Sequence, residues 1–260
     1  MIEKKEGTTI TVAIGVPTKG TTDAPAYDNH LTLLAHIGKL EVASQLGVTD
    51  VDGEHFEYPK GTKFKFLITT LPRVFPALAR EKIAEQAKEV GCDYLFFFDD
   101  DMIMMPDIFE RLFKHQKDVV AALAFTRLYP YAPVLYNLTK GWDGVEKKEY
   151  YINQAVDRYP KDTLVECDAV GFGAVLIKLS LLDEIKRPWF MTTSGAGEDI
   201  HFCHSAGKAG FHIFMDTATK IGHLGERQVV TEETYEEHHN VTKDRERLGS
   251  EIKYPKQSTK

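Results

Sequence analysis

Apolar positions along this chain fall into short runs separated by amphipathic stretches. Thr9 to Val16 is β-branched and apolar, and it predicts a strand that stops at Pro17-Thr18-Lys19-Gly20. Leu31 to Leu46 reads as a helix. Phe64 to Thr69 predicts a second strand, and Phe75 to Val90 a helix with Pro76 in its first turn and Gly91 just past its end. Tyr94-Leu-Phe-Phe-Phe98 is an uninterrupted apolar run of strand length, followed by a helix from Ile108 to His115 and a strand from Asp118 to Phe125. This β-α-β-α-β-α-β order predicts an α/β fold, a mainly parallel central sheet with helices on both faces. From Thr126 to Asp162 the pattern turns irregular and rich in Tyr, Pro and Asn, which suits a cap or an acceptor-side insertion. Regularity returns at Leu164 to Lys178, in a helix from Asp199 to Ala209, and in a strand from Phe211 to Asp216. Beyond Gly225 the chain is heavily charged. One domain over 1–225 and a solvated tail or isolated helix over 226–260 are expected.

The central apolar run ends on Asp99, Asp100 and Asp101. Carboxylates this close repel one another and raise each other's pKa unless a positive charge sits among them, so the cluster calls for a metal ion or a basic partner. An acidic turn or a helix start is the alternative, since Pro106 suits a first helical turn and an Asp there complements the dipole. The surroundings favour the cation: the aspartates lie between apolar runs at the C-terminal end of a central strand, where open α/β sheets place their ligands.

Composition narrows the class by exclusion. With 260 residues, 43% hydrophobic and 27% charged, the chain can bury a sizeable core and has the balance of an ordinary soluble globule. A net charge of −7 argues against a broad, sequence-independent grip on nucleic acid. Cys92, Cys167 and Cys203 are odd in number and widely spaced, giving neither a disulfide framework nor paired zinc-ligand spacing, and a reducing cytoplasm is the expected setting. Met1 to Glu6 lacks an apolar leader core and no apolar run is long enough to span a bilayer, so neither secretion by the common route nor a transmembrane anchor is expected.

Three further segments carry candidate chemistry. Gly15-Val-Pro-Thr-Lys-Gly20 has the glycine spacing of a phosphate loop, but Thr21-Thr22 stand where a Walker loop needs Lys, and a tight turn explains the segment as well. Glu198 and Asp199 open a helix, where acidic residues commonly complement the dipole. His201, Cys203 and His204 follow without a second ligand pair at suitable spacing, which favours ordinary helix residues. His223 stands in Ile221-Gly-His-Leu-Gly225, just after a strand.

Taken in order, Ile14-Gly-Val-Pro-Thr18, Ala79-Arg80, Tyr94 to Met102, Val170-Gly-Phe-Gly-Ala174, Gly197-Glu-Asp-Ile-His-Phe-Cys203 and Gly222-His223 resemble the glycosyltransferases of the GT-A fold, especially compact bacterial and phage-type members. The resemblance implies a single Rossmann-like GT-A domain and a nucleotide-sugar donor. It places Pro17 and Thr18 beneath the nucleotide and Arg80 near its diphosphate. The D-x-D motif maps onto Asp99 and Asp101, with Asp100 as its middle residue and His223 completing the shell of a divalent cation. Glu198 and Asp199 would face the acceptor.

Sugar transfer builds negative charge on a departing diphosphate, and Mn²⁺ or Mg²⁺ stabilises that charge as a Lewis acid. Oxygen ligands suit either ion, and an added imidazole tilts the choice toward Mn²⁺. Asp199 is the candidate general base, pointing to inversion, with Glu198 orienting the acceptor. Gly171 and Gly173, on either side of Phe172, would let backbone approach a substrate, and Trp189 and Phe190 would stack on a sugar face unless Trp189 is simply a core aromatic. The expected partners are a UDP- or GDP-sugar and an acceptor hydroxyl, on a glycan or a lipid-linked acceptor, with modified DNA bases a disfavoured option. Phe64 to Thr70 lacks the base-binding Asp that many relatives carry after the second strand. A sugar nucleotidyltransferase, a two-metal phosphodiesterase or nuclease, and a non-catalytic metal-binding module are the alternatives.

Overall fold

The computed structural model describes residues 8–56, 58–59, 61–143, 147–156, 158–193, 196–225 and 229–239. In chain order the elements are β1 (Thr9–Thr18), α1 (Ala24–Leu46), β2 (Asp50–Val51), β3 (Glu54–His55), β4 (Lys63–Pro72), α2 (Pro76–Glu89), β5 (Tyr94–Phe98), β6 (Met102–Ile103), α3 (Ile108–Phe113), β7 (Val119–Leu123), β8 (Leu135–Asp143), β9 (Lys148–Ala155), β10 (Leu164–Cys167), β11 (Ala169–Val170), β12 (Ala174–Lys178), α4 (Glu198–Lys208), β13 (Ile213–Lys220), β14 (Gly222–Leu224) and β15 (Val229–Val230).

Seven strands make the central sheet in the order β10-β13-β7-β12-β5-β1-β4. β1 pairs in parallel with β4 and β5, and β13 with β7; β12 and β10 run against their neighbours. The sheet is mainly parallel, as the alternating strand and helix pattern predicts. Strand β5 shows why its sequence is apolar throughout. Tyr94, Phe96 and Phe98 join a core with Leu33 and Ile37 of α1 and Phe109 of α3, while Leu95 and Phe97 join another with Ile83 of α2 and Phe202 of α4. With helices on both faces, neither side of the strand meets water. Each such ring contributes about 1.5–3 kcal/mol on burial.

The structure departs from the pattern in three places. Helix α1 starts at Ala24, well before Leu31, with Pro25 in its first turn; residues 24–30 carry no apolar repeat that would announce a helix. The irregular stretch after Thr126 holds an antiparallel β8–β9 hairpin, to which β11 adds on the β8 side. The charged segment after Gly225 is not a free tail through residue 239. β15 pairs with β14, Val230 and Tyr235 are buried, and Tyr235 stacks on Phe125 at 5.3 Å. Buried Glu232 accepts a hydrogen bond from the Tyr159 hydroxyl at 3.0 Å and pairs with Lys220 at 2.6 Å, so its charge is matched. Residues 240–260 lie outside the described part. No described helix is long and apolar enough to cross a membrane.

Candidate active site

A cleft of about 540 Å³ opens at the carboxyl ends of β1, β4 and β5, lined by Pro17, Thr18, Lys19, Arg73, Val74, Phe75, Pro76, Arg80, Asp99, Asp100, Asp101, Arg127, Glu198 and His223. The three aspartates reach it because β5 stops at Phe98 and the chain turns sharply, with the Asp99 N–H donating to Gly173 O at 3.1 Å and the Met102 N–H to Asp99 O at 3.3 Å. β6 pairs with β14, setting His223 opposite Met102. The first turns of α1 brace the same corner. Asn29 bonds both the N–H and the carbonyl of Met104 at 2.8 Å, and His30 reaches Met102 O at 3.0 Å.

Arg80 lies on α2 with 2% of its surface exposed. Its Nη2 donates to Asp99 Oδ1 at 2.7 Å and to Phe172 O at 3.4 Å; Glu198 Oε1 stands 3.7 Å from Nε, and the guanidinium packs against the rings of Phe97 and Phe172. Nε and Nη1 are buried without a hydrogen-bond partner. Leaving charged donors unmet costs more than leaving neutral ones unmet, so Arg80 keeps unused bonding capacity in the cleft wall. Burial pushes the Asp99 carboxyl up to about 6 against the pull of Arg80, with Asp101, Glu198 and Asp199 adding to the rise.

Asp101 has cations on three sides, Arg127 Nη1 at 3.2 Å, His223 Nε2 at 3.4 Å and Lys19 Nζ at 4.0 Å. Burial works to raise its pKa, but these groups, His223 foremost, hold it below the usual carboxylate range. His223 Nδ1 donates to Phe125 O at 2.8 Å, because a carbonyl can only accept. Nε2 is thereby the nitrogen aimed at Asp101. Burial lowers the imidazole's pKa and Asp101 more than restores it, so the proton on Nε2 is the one a cation would displace. A backbone carbonyl fixing the other ring nitrogen is how metal-binding imidazoles are oriented. The donor set therefore fits a divalent cation. Among the described residues no three His, Cys, Asp or Glu side chains are gathered as a finished metal site, since Asp99 is turned to Arg80. Asp100, the middle residue of the D-x-D motif, is buried and accepts the Lys19 N–H at 2.9 Å; it holds the β1–α1 loop in place.

Glu198 lines the cleft, and Asp199 follows it in the first turn of α4. Asp199 Oδ1 accepts the Ile200 N–H at 2.7 Å. Burial and then the charge of Glu198 raise its pKa, which moves it toward the range of a general base. On the acceptor side the structure corrects the sequence. A Cβ on Gly171 would meet Val134 at 2.8 Å, and one on Gly173 would meet Met102 Cε at 3.1 Å, so these glycines admit neighbouring side chains, not a substrate. Phe172 between them is buried. Trp189 is 5% exposed, lies outside the cleft, donates Nε1–H to Leu182 O at 3.2 Å and carries Arg187 over its ring at 4.7 Å, a core aromatic and not a sugar platform. Phe190 is likewise buried, stacked on Phe202 at 5.1 Å. His201, Cys203 and His204 bond to Pro188 O, Val170 O and Asn153 Oδ1, as ordinary helix residues do.

Sequence reasoning missed Arg73, Phe75 and Arg127. Arg127 sat in a stretch without periodicity, and only folding brings it to Asp101. The signal at Arg73-Val-Phe-Pro76 was present, an aromatic and a cation between a strand and a helix start.

No family model and no curated protein matches the chain. Among solved structures it is similar to A197 from STIV, at 17% identity over 86% of this chain and 92% of that one, with a TM-score of 0.49. It is similar to GalNAc-T7 with UDP, GalNAc and Mn²⁺ at 11% identity over 82% of this chain and 43% of that one, less than half of its length, with a TM-score of 0.48. The catalytic domain of Drosophila beta1,4galactosyltransferase 7 in complex with xylobiose gives 14% identity, 84% and 72% coverage and a TM-score of 0.42. All three fall below a TM-score of 0.5, and the chemistry of the site rests on its own geometry.

Proposed function

We propose that the protein is a divalent-cation-dependent glycosyltransferase that moves a sugar from a nucleoside-diphosphate donor to an acceptor hydroxyl with inversion. The observation that carries this reading is Arg80, a buried guanidinium with two unmet nitrogens on the wall of an open cleft, beside paired carboxylates and an oriented imidazole. A diphosphate satisfies the guanidinium, and the aspartates take a cation that accompanies it.

Asp99, Asp101 and His223 hold Mn²⁺ or Mg²⁺, which when bound stabilises charge on the departing diphosphate as a Lewis acid. Arg80 binds the diphosphate by charge-assisted hydrogen bonds, and Lys19 and Arg127 leave Asp101 to do the same. Pro17 and Thr18 line the nucleotide end. Asp199 takes the acceptor's proton and Glu198 orients the acceptor. The protein acts in the cytoplasm.

The test is calorimetric titration of UDP and GDP in Mn²⁺ and again in EDTA. Binding is expected to need the cation; equal affinity in both conditions for both nucleotides would sink the reading. Asp101→Asn should weaken Mn²⁺-dependent binding by about 100-fold or more, since even residues supporting a ligand change metal affinity by about 10–100-fold. Its melting temperature should stay near the wild-type value.

A further inference from the structure

We propose that Phe75 is the platform on which the base of the nucleoside diphosphate stacks, an inference that rests on the nucleoside-diphosphate reading of the cleft. Phe75 is 85% exposed and lines the cleft. Among the described residues it is the most exposed large apolar side chain. Among the described residues its ring has no aromatic or cationic partner, although fifteen phenylalanines in the chain mostly find one in the core.

Phe75 is also held rigidly. It caps the start of α2, its carbonyl accepts the Ala79 N–H at 2.9 Å, and Pro76 restricts its backbone to the extended region. Two residues earlier Arg73 sits at φ 62°, a left-handed conformation that costs a non-glycine residue energy and persists only where the surroundings enforce it. The Arg73 N–H donates to Thr18 O at 2.9 Å, which ties this turn to the end of β1. The backbone that carries the ring is thus tied to two elements of the sheet and helix framework.

The cleft lining is chemically mixed. Arg80, the aspartates and His223 supply charge, and Phe75, Val74, Pro76 and Pro17 supply apolar surface. A ligand with an anionic tail and a flat aromatic head matches both. Among the described residues that line the cleft no carboxylate besides Asp99, Asp100, Asp101 and Glu198 stands in for the absent base-binding Asp, so stacking, which every base supports, supplies the head's affinity. UDP and GDP are accordingly both accepted.

Calorimetry with UDP, GDP and inorganic pyrophosphate, each with Mn²⁺, decides this on the wild type, Phe75→Ala and Phe75→Tyr. Phe75→Ala should weaken UDP and GDP by roughly 5- to 150-fold, the range that stacking on an aromatic contributes. Pyrophosphate binding should not change, and Phe75→Tyr should bind all three as the wild type does. Unchanged nucleotide affinity in Phe75→Ala, or an equal loss for pyrophosphate, overturns the platform. Wild-type protein that binds pyrophosphate as tightly as UDP and GDP overturns the platform and leaves the diphosphate site standing. Wild-type protein that binds none of the three overturns the donor reading and the platform with it.

Discussion

His36 on helix α1 and Arg80 on helix α2 are both nearly excluded from solvent, and both sit among carboxylates. His36 uses both ring nitrogens, Nε2 on Glu110 at 2.6 Å and Nδ1 on Asp52 at 2.9 Å, and Lys39 closes the cluster on Asp52 at 2.6 Å. One Glu110 oxygen is left over, but its companion already carries a charged bond. Arg80 lines an open cleft and has two buried donors without a hydrogen-bond partner. The first cluster is complete within the fold and joins α1 to α3 and to the β2–β3 hairpin. The second is left incomplete by the protein's own groups. A buried charge alone says little about function; the informative quantity is how much of its bonding capacity the protein leaves unused, and whether solvent can reach it.

The largest effect that follows concerns the open cluster. Asp199→Asn keeps the size of the side chain and an oxygen able to accept the Ile200 N–H, but it removes the carboxylate proposed to take the acceptor's proton. Transfer should fall by roughly 10²–10⁴-fold while Mn²⁺-dependent UDP or GDP affinity is retained. Single-turnover transfer beside calorimetry separates the two. If the rate stayed near wild type, Asp199 would be a helix cap, a role that Asn fills almost equally well.

The closed cluster should answer to pH and leave donor binding alone. The Glu110 hydrogen bond, against burial and with help from Asp52, raises the His36 pKa from 6.5 to about 9. Because the folded-state pKa lies above the unfolded one, the stabilisation is fully present below about pH 6.5 and is lost as pH rises through about 9. The amount is on the order of 3 kcal/mol. Urea unfolding of wild type and His36→Gln at pH 6 and pH 9.5 measures it, and the difference between the two proteins cancels other groups that titrate in that window, such as the cysteines. A gap of about 3 kcal/mol at pH 6 should largely close at pH 9.5. A gap that did not change with pH would mean that His36 contributes by packing alone.

The same contrast explains what could be read from the chain. The aspartates, Glu198 and His223 stand at the edge of a periodic run, and the edge of a run in an α/β chain is a place in the sheet; Arg80, inside the α2 run, was marked only by the resemblance. Strand β5 was legible for the same reason, an apolar run with both faces covered. The His36 cluster was not, since its members come from α1, the β2–β3 hairpin and α3 and share no local pattern. Arg127 and the β8–β9 hairpin lie where the period disappears. Docking of 229–239 was hidden by composition: Glu232 counts as a charge toward a solvated tail, yet Lys220 and Tyr159 satisfy it in a buried place.

Gly173 gives the smallest effect and tests the boundary of the open site. From sequence it makes room for a substrate; in the fold the space above it is filled by the Met102 side chain, with Cε at 3.1 Å and Sδ at 3.2 Å from where a Cβ would stand. Met102 is unbranched, and its terminal atoms can move by a few tenths of an ångström at modest cost. Gly173→Ala should therefore destabilise the protein by about 1 kcal/mol or less, which lowers the melting temperature by about 2–4 °C or less in a chain of this size. UDP and GDP affinity and the transfer rate should stay at wild-type values, because the added methyl meets a core side chain and not the cleft. A loss of transfer with an unchanged melting temperature would show instead that substrate does reach Gly173, and would move the acceptor end of the site to the turn between β11 and β12.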